Sequence, residues 1–225
     1  MSEYETLSML LDAGMDPDEV CFGLTVLTHA INSEGDGHLQ SGHPLHTAST
    51  AIVLAYGADP HWPAASGKTP LQMAESYDHE PAKRLLQLFL APTEVPGSAR
   101  GSARGPSAEV ESWTPAHRAV AMSDYETLTA LLDLGADPDE VCFGHTLLTH
   151  AIGLEGGGHV QRNYPPNAAS TAILLAYGAD PRLPAIDGET PLQIAEHYHH
   201  EPIRRLLQRF LALTPAGPPG SAHDR

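Results

Sequence analysis

Residues 4–23 read YETLSMLLDAGMDPDEVCFG, and residues 125–144 read YETLTALLDLGADPDEVCFG. The match runs on at one constant offset, without a gap, to residues 90 and 211, and about two-thirds of the aligned positions are identical. TAIVLAYGADP at 50–60 answers TAILLAYGADP at 171–181, and GKTPLQMAESYDHEP at 67–81 answers GETPLQIAEHYHHEP at 188–202. A fixed internal period decides architecture, so it is read before anything else. It also separates residues kept in both copies from residues that changed.

Within each copy, short apolar helical stretches alternate with turns. Leu128, Leu131 and Leu132 fall on one helical face, and Gly135-Ala136-Asp137-Pro138 ends that helix. Ile173, Leu174 and Leu175 precede Gly178-Ala179-Asp180-Pro181 in the same way. Glycine supplies a left-handed cap and proline prevents continuation. Thr69-Pro70-Leu71 and Thr190-Pro191-Leu192 place Thr at a helix start and Pro in the first turn, where its missing N–H costs nothing.

These motifs resemble the ankyrin repeat family. Its Gly-x-Thr-Pro-Leu-x-x-Ala helix start is matched at Gly67 to Ala74 and Gly188 to Ala195. Thr114-Pro115-Ala116-His117 with Ala119 matches in part, and Thr25 to Ala30 and Thr146 to Ala151 match more loosely. Its Gly-Ala-Asp-Pro turn is matched at Gly57, Gly135 and Gly178, and as Gly-Met-Asp-Pro from Gly14. The resemblance implies an all-α solenoid of stacked helix-turn-helix units with projecting hairpins and a concave face, used more often for binding than for catalysis. Each copy holds about two and a half repeats. The first opens at a second helix, Tyr4 to Asp12, whereas the second has a first helix near Thr114. The expected division is a first half at 1–90, a Gly/Pro/Ser linker at 91–112, a second half at 113–213 and a tail at 214–225. A linker of this length allows the halves to face each other around a cleft, or to form one continuous stack with the linker looped out.

The bulk numbers exclude several partners. Twelve basic residues against 28 acidic ones give a formal charge of −16, which repels nucleic acid and anionic membranes. No span reaches transmembrane length and no leader pattern opens the chain, so the expected location is cytoplasmic. The two cysteines, Cys21 and Cys142, occupy equivalent positions and read as small buried thiols rather than a disulfide framework.

The middle repeat of each copy is too long. Thr25 to Thr69 and Thr146 to Thr190 each exceed the ordinary 33-residue repeat by about eleven residues. The extra segments, read as insertion loops, are NSEGDGHLQSGHP at 32–44 and GLEGGGHVQRNYP at 153–165. Both keep a Glu (Glu34, Glu155), two glycines (Gly35, Gly37; Gly156, Gly158) and a His (His38, His159). Repeated glycines point to positive φ or close backbone approach. Inserted loops on a rigid scaffold are where function concentrates. His29 and His150 lie just before, one position later than the family's usual His. They read either as helix histidines packed on the next repeat or as partners of the loop Glu and His.

Two imidazoles and a carboxylate per copy would suit zinc. The nine-residue spacing matches no ligand motif, however, so neither a metal nor a cofactor is expected. A His–Glu pair in a cleft can also exchange protons near neutral pH, with burial raising the Glu pKa. Copy one holds the densest titratable set: Glu34, Asp36, His38, His43 and His46. Copy two carries Arg162 and Tyr164 in place of Ser41 and His43, suited to orienting an oxygen-rich ligand. The composition further resembles actinomycete ankyrin-like chains. That resemblance implies natural-product tailoring by cofactor-free cyclisation, in which a hydroxyl attacks an epoxide or similar electrophile. The expected catalytic set is then Glu34, Asp36, His38, His29, His150, Glu155 and His159, with His43, His46, Arg162 and Tyr164 binding substrate. The alternative is a non-catalytic protein-binding ankyrin-repeat module. The partner is a small molecule on the first reading and a protein on the second.

Overall fold

The computed structural model describes residues 2–42, 44–90, 113–162 and 166–213. In the first half the order is α1 (Glu3–Asp12), a hairpin of β1 (Val20–Cys21) and β2 (Leu24–Thr25), α2 (Val26–Ser41), α3 (Ala48–Ala55), α4 (Pro70–Ser76) and α5 (Glu80–Leu90). The expected linker at 91–112 and tail at 214–225 lie outside the described residues; the second half runs α6 (Pro115–Ala121), α7 (Tyr125–Asp133), β3 (Val141–Cys142), β4 (His145–Thr146), α8 (Leu147–Arg162), α9 (Ala169–Ala176), α10 (Pro191–His197) and α11 (Glu201–Leu213). This is an all-α helical-repeat fold of the ankyrin-solenoid kind, with two-residue strands only in the hairpins.

The expected caps form. Thr69 and Thr190 accept from the backbone N–H of Gln72 and Gln193, whose side chains return the bond as capping boxes. Gly57 and Gly178 take φ of 101° and 89° in the Gly-Ala-Asp-Pro turns, a conformation other residues adopt only under strain.

The core is built on α3 and α9. ASTAIVLA and ASTAILLA are apolar on nearly every face, and a helix with that pattern belongs in the interior. The two helices pack against each other at the centre of the molecule. Around them the halves exchange matched bonds. The Tyr4 hydroxyl donates to Glu126 at 2.9 Å, and the Tyr125 hydroxyl to Glu5 at 3.4 Å. Arg84 donates to the carbonyl of Asp133, and Arg205 to that of Asp12. The Tyr and Arg pairs are counterparts at the constant sequence offset, as in an interface between two like subunits. Within each half Tyr56 donates to Asp12 at 2.6 Å and Tyr177 to Asp133 at 2.8 Å; Tyr177 also reaches Thr47 across the junction, whereas Tyr56 meets Ser8 of its own half.

The halves meet through second helices, chiefly α3 against α9, which carry the all-round apolar faces, with α1 against α9 and α7 against α3 beside them. One expectation changes here: the segment beginning at Asn32 is not a loop, since residues 32–41 continue α2 as helix, and 153–162 continue α8. The glycines therefore do not supply positive φ at these places. Gly35 and Gly156 serve close approach instead, since the rings of Tyr77 and Tyr198 lie flat where a Cβ would stand.

Candidate functional site

The helical continuation of α2 determines what Glu34 does. Thr47, at the start of α3, makes no side-chain cap bond. Two extra turns of α2 bring Glu34 over that helix end instead. Its Oε1 accepts from the backbone N–H of Ser49 (2.9 Å) and Thr50 (3.1 Å), and its Oε2 from the Thr50 hydroxyl (2.6 Å). Glu155 does the same for α9, accepting from Ser170 N–H (2.8 Å) and the Thr171 hydroxyl (2.6 Å). A carboxylate at a helix N-terminus satisfies orphan donors and meets the positive end of the dipole. Burial nevertheless pushes Glu34 up to about 8 and Glu155 up to about 7, with these hydrogen bonds opposing the shift.

Of the remaining expected residues in copy one, only His46 comes up to Glu34. Its Nδ1 lies 3.9 Å from Oε1, and its ring stands edge-on to Tyr4. Asp36 faces elsewhere, accepting from the Tyr77 hydroxyl (3.0 Å) and the Asn32 amide (3.1 Å). His38 is in the last turn of α2, partly exposed, where its carbonyl accepts from Gly42. His29 is exposed. Five residues separate it from Glu34 on one helix, about 140° of rotation, so the two point to different sides. His43 and Tyr164 lie outside the described residues. His159 and Arg162 are in the last turns of α8, and their side chains also lie outside.

Sequence reasoning missed His79. It is a fully buried cap. Nδ1 accepts from Ala82 N–H, Nε2 donates to the His46 carbonyl at 3.1 Å, and Nε2 sits 3.8 Å from Glu34. Burial lowers its pKa to about 4, so it is neutral beside Glu34 at pH 7. The His-Glu-Pro retained at 79–81 and 200–202 was the available signal, and His200 likewise accepts from Ile203 N–H.

His150 belongs to a second cluster. Its ring stacks on Trp113 (4.3 Å between centroids, 5° between planes) and on His117 (5.4 Å). Trp113 meets Phe143 edge-on at 5.0 Å. Burial, together with the neighbouring His117, lowers His150 to about 4. Among the described residues no group of three His, Cys, Asp or Glu side chains is placed to hold a metal ion.

The hairpin tips carry exposed apolar side chains. Pairing of Cys21 with Leu24 leaves Phe22-Gly23 as a two-residue turn, with φ of 50° and 83°. Two positive φ values make this a type I′ turn, which favours Asn, Asp or Gly at the first position. Phe143-Gly144 repeats it at 50° and 82°. Phe22 is 102% exposed and Phe143 54% exposed, with Val20 and Val141 exposed alongside. Cys21 is exposed too, against the expectation of a buried thiol, whereas Cys142 is buried; both are thiols.

No family model matches the chain. It is similar to an ARF GTPase-activating protein, Git, of Drosophila melanogaster, at 26% identity over 206 residues; that stretch is 91% of this chain and 26% of the relative. The chain thus spans about a quarter of that relative's length. Among solved structures it resembles an ankyrin repeat domain from Acinetobacter baumannii at 21% identity, covering 93% of this chain and 98% of the other, with a TM-score of 0.39. That superposition is too loose to bear on function. Among the described residues no helix is long and apolar enough to cross a membrane.

Proposed function

We propose that this chain is a protein-binding module of the ankyrin kind that engages partners through its hairpin edges. One observation carries the reading: a phenylalanine stands at positive φ on an exposed turn, in both copies. A bulky residue in the left-handed region costs about 1–2 kcal/mol. Stability alone would place Asn there, so the ring is held out at a cost to the fold. An exposed aromatic on a rigid support is a common anchor of protein interfaces. We take the two halves as an internal duplication carrying an insertion in each middle repeat, so that one module displays two such anchors. The ungapped sequence match and the parallel order of elements support this.

The test separates binding from folding. Peptide ligands are selected against the protein from a random library and mapped by hydrogen exchange. Protection is expected at residues 20–24 and 141–145. Phe22→Asn with Phe143→Asn should weaken those ligands tenfold or more, and Phe22→Asn alone should leave the melting temperature equal or higher. Ligands that map elsewhere, or that ignore the double variant, refute the proposal.

A second reading, cofactor-free acid–base cyclisation, has one observation in its favour: Glu34 holds a proton near neutral pH with His46 and His79 within 4 Å. On that reading Glu34 protonates the epoxide oxygen as its C–O bond breaks, and His46 takes the proton of the attacking hydroxyl as the new C–O bond forms. Its test is loss of turnover in Glu34→Gln with an epoxide substrate from an adjacent biosynthetic step.

A further inference from the structure

The hairpin rows of the two copies share one backbone arrangement and differ in side chains. In the second copy the turn at 185–189 docks on the β3–β4 tip. The Ile186 N–H donates to the Gly144 carbonyl at 2.7 Å, and the Asp180 N–H to Asp139 Oδ1 at 2.8 Å. In the first copy the Ala65 N–H donates to the Gly23 carbonyl and the Asp59 N–H to Asp18 Oδ1, both at 2.8 Å. On that common frame Ala65, Ser66 and Lys68 are matched by Ile186, Asp187 and Glu189. One difference makes the second tip more apolar, and the other two make it acidic.

The apolar part of the second row is continuous. Trp113 meets the Phe143 ring at 5.0 Å, and the Ile186 side chain lies on Gly144, 2.6 Å from where a Cβ would stand. Ile186 is 82% exposed, and Val141 is exposed beside the turn. The acidic part borders it. Residues 137–145 and 180–189 hold six carboxylic side chains and one arginine. That Arg182 is occupied, by Asp180 at 4.0 Å and the Leu211 carbonyl at 3.4 Å. Glu140 receives Thr114 and His117. Asp137, Asp187 and Glu189 are exposed, and among the described residues no lysine or arginine pairs with them. Carboxylates around an exposed apolar anchor complement a partner that is apolar at its centre and basic at its rim. The formal charge of −16 works against a second copy of this chain in that place.

We propose that the hairpin row of the second copy docks a basic protein segment with an apolar residue at its centre. The apolar side chain seats on Phe143 and Ile186, and flanking lysines or arginines meet Asp187, Glu189 and Asp137. This rests on the protein-binding reading; it gives the partner a charge and assigns it to one copy.

The probe is the capped peptide Lys-Arg-Lys-Leu-Lys-Arg-Lys, titrated calorimetrically into the full chain in about 0.05 M NaCl, where screening is weak. It is expected to bind one site, about tenfold more tightly than the same peptide with Ser for Leu or than Glu-Asp-Glu-Leu-Glu-Asp-Glu. Residues 141–145 and 185–189 should gain protection from hydrogen exchange. Asp187→Ser with Glu189→Lys should weaken binding about fivefold or more and flatten its salt dependence. Ile186→Ala should weaken it about threefold or more. These variants carry the first copy's side chains on the same backbone, so both should melt as the wild type does. No binding at about 1 mM peptide, equal binding with Ser at the centre, indifference to either variant, or protection elsewhere overturns the proposal. A dimer mass lost in Ile186→Ala assigns the face to a second copy, and binding seen only in Arg100→Ser with Arg104→Ser assigns it to this chain's own residues; either also overturns it. Failure here leaves the library-selected ligands and their dependence on Phe22 and Phe143 untouched, so the two proposals fail separately.

Discussion

Glu34→Ala tests whether this carboxyl is chiefly a helix cap. The substitution removes the acceptor for two backbone N–H groups at the start of α3 and for the Thr50 hydroxyl. α3 has no cap of its own, and a buried donor left unpaired costs about 1–3 kcal/mol. The expected loss is about 3 kcal/mol in urea or thermal unfolding. Glu34→Gln keeps an oxygen for the Ser49 and Thr50 N–H groups, so at pH 7 it should cost about 1 kcal/mol or less. The pH dependence sharpens the test. Burial raises Glu34 from 4.5 in the unfolded chain to about 8 in the folded one. Between those values the folded state binds a proton that the unfolded state lacks. This contribution to stability is therefore full below about pH 4.5 and is lost as pH rises towards 8, with a limiting slope of about 1.4 kcal/mol per pH unit. Gln cannot ionise, so the gap between wild type and Glu34→Gln should narrow, then reverse, between pH 5 and pH 9. Unfolding curves recorded by circular dichroism at pH 5, 7 and 9 measure it. Parallel pH profiles for the two proteins, or a Glu34→Ala loss no larger than the half kcal/mol of a surface change, would refute the capping argument.

Gly35→Ala and Gly156→Ala should each destabilise by about 1–3 kcal/mol, although Gly→Ala inside a helix ordinarily gains about 1, because the new methyl meets the Tyr77 or Tyr198 ring. Trimming Tyr77 to Ala should reverse the sign at Gly35, read by urea denaturation. Tyr177→Phe removes a hydroxyl bonded to Asp133 within its own half and to Thr47 across the junction of the halves, and should cost about 1–2 kcal/mol. A melting temperature unchanged by that variant contradicts the junction as described. His150, lowered to about 4, is neutral in the folded state over a range where the unfolded chain binds a proton, so its contribution is lost as pH falls from about 6.5 through 4. In a Trp62→Phe background, Trp113 fluorescence should titrate with a midpoint near 4; a midpoint near 6.5 would mean that the stack does not exclude water.

Much of the fold was legible because its signals are local. Thr-Pro starts and Gly-Ala-Asp-Pro stops act within one turn of chain, and the caps at Thr69 and Thr190 formed as the motif requires. The extra segments misled because glycine has two uses. A run such as Glu-Gly-Asp-Gly-His reads as a loop by propensity, since each glycine in a helix costs about 1 kcal/mol. That cost is offset here by a long-range contact, the tyrosine ring that Gly35 or Gly156 admits. Only the pairing of Gly35 with Tyr77 and Gly156 with Tyr198, retained together across both copies, hinted at it.

Retention in both copies had a further limit as a guide. Glu34 and Glu155 were picked out because both copies keep them, and in the structure their shared task is to close α3 and α9, the two helices at the centre of the core. Surroundings differ between the copies where identity does not: His150 stacks on Trp113 and Phe143 meets it, whereas His29 and Phe22 are exposed. A residue-by-residue comparison weighs identities and is blind to what each identity touches. Cys21 and Cys142 are the same residue in the same local sequence, yet one is exposed and the other buried, so local sequence alone did not decide their environment.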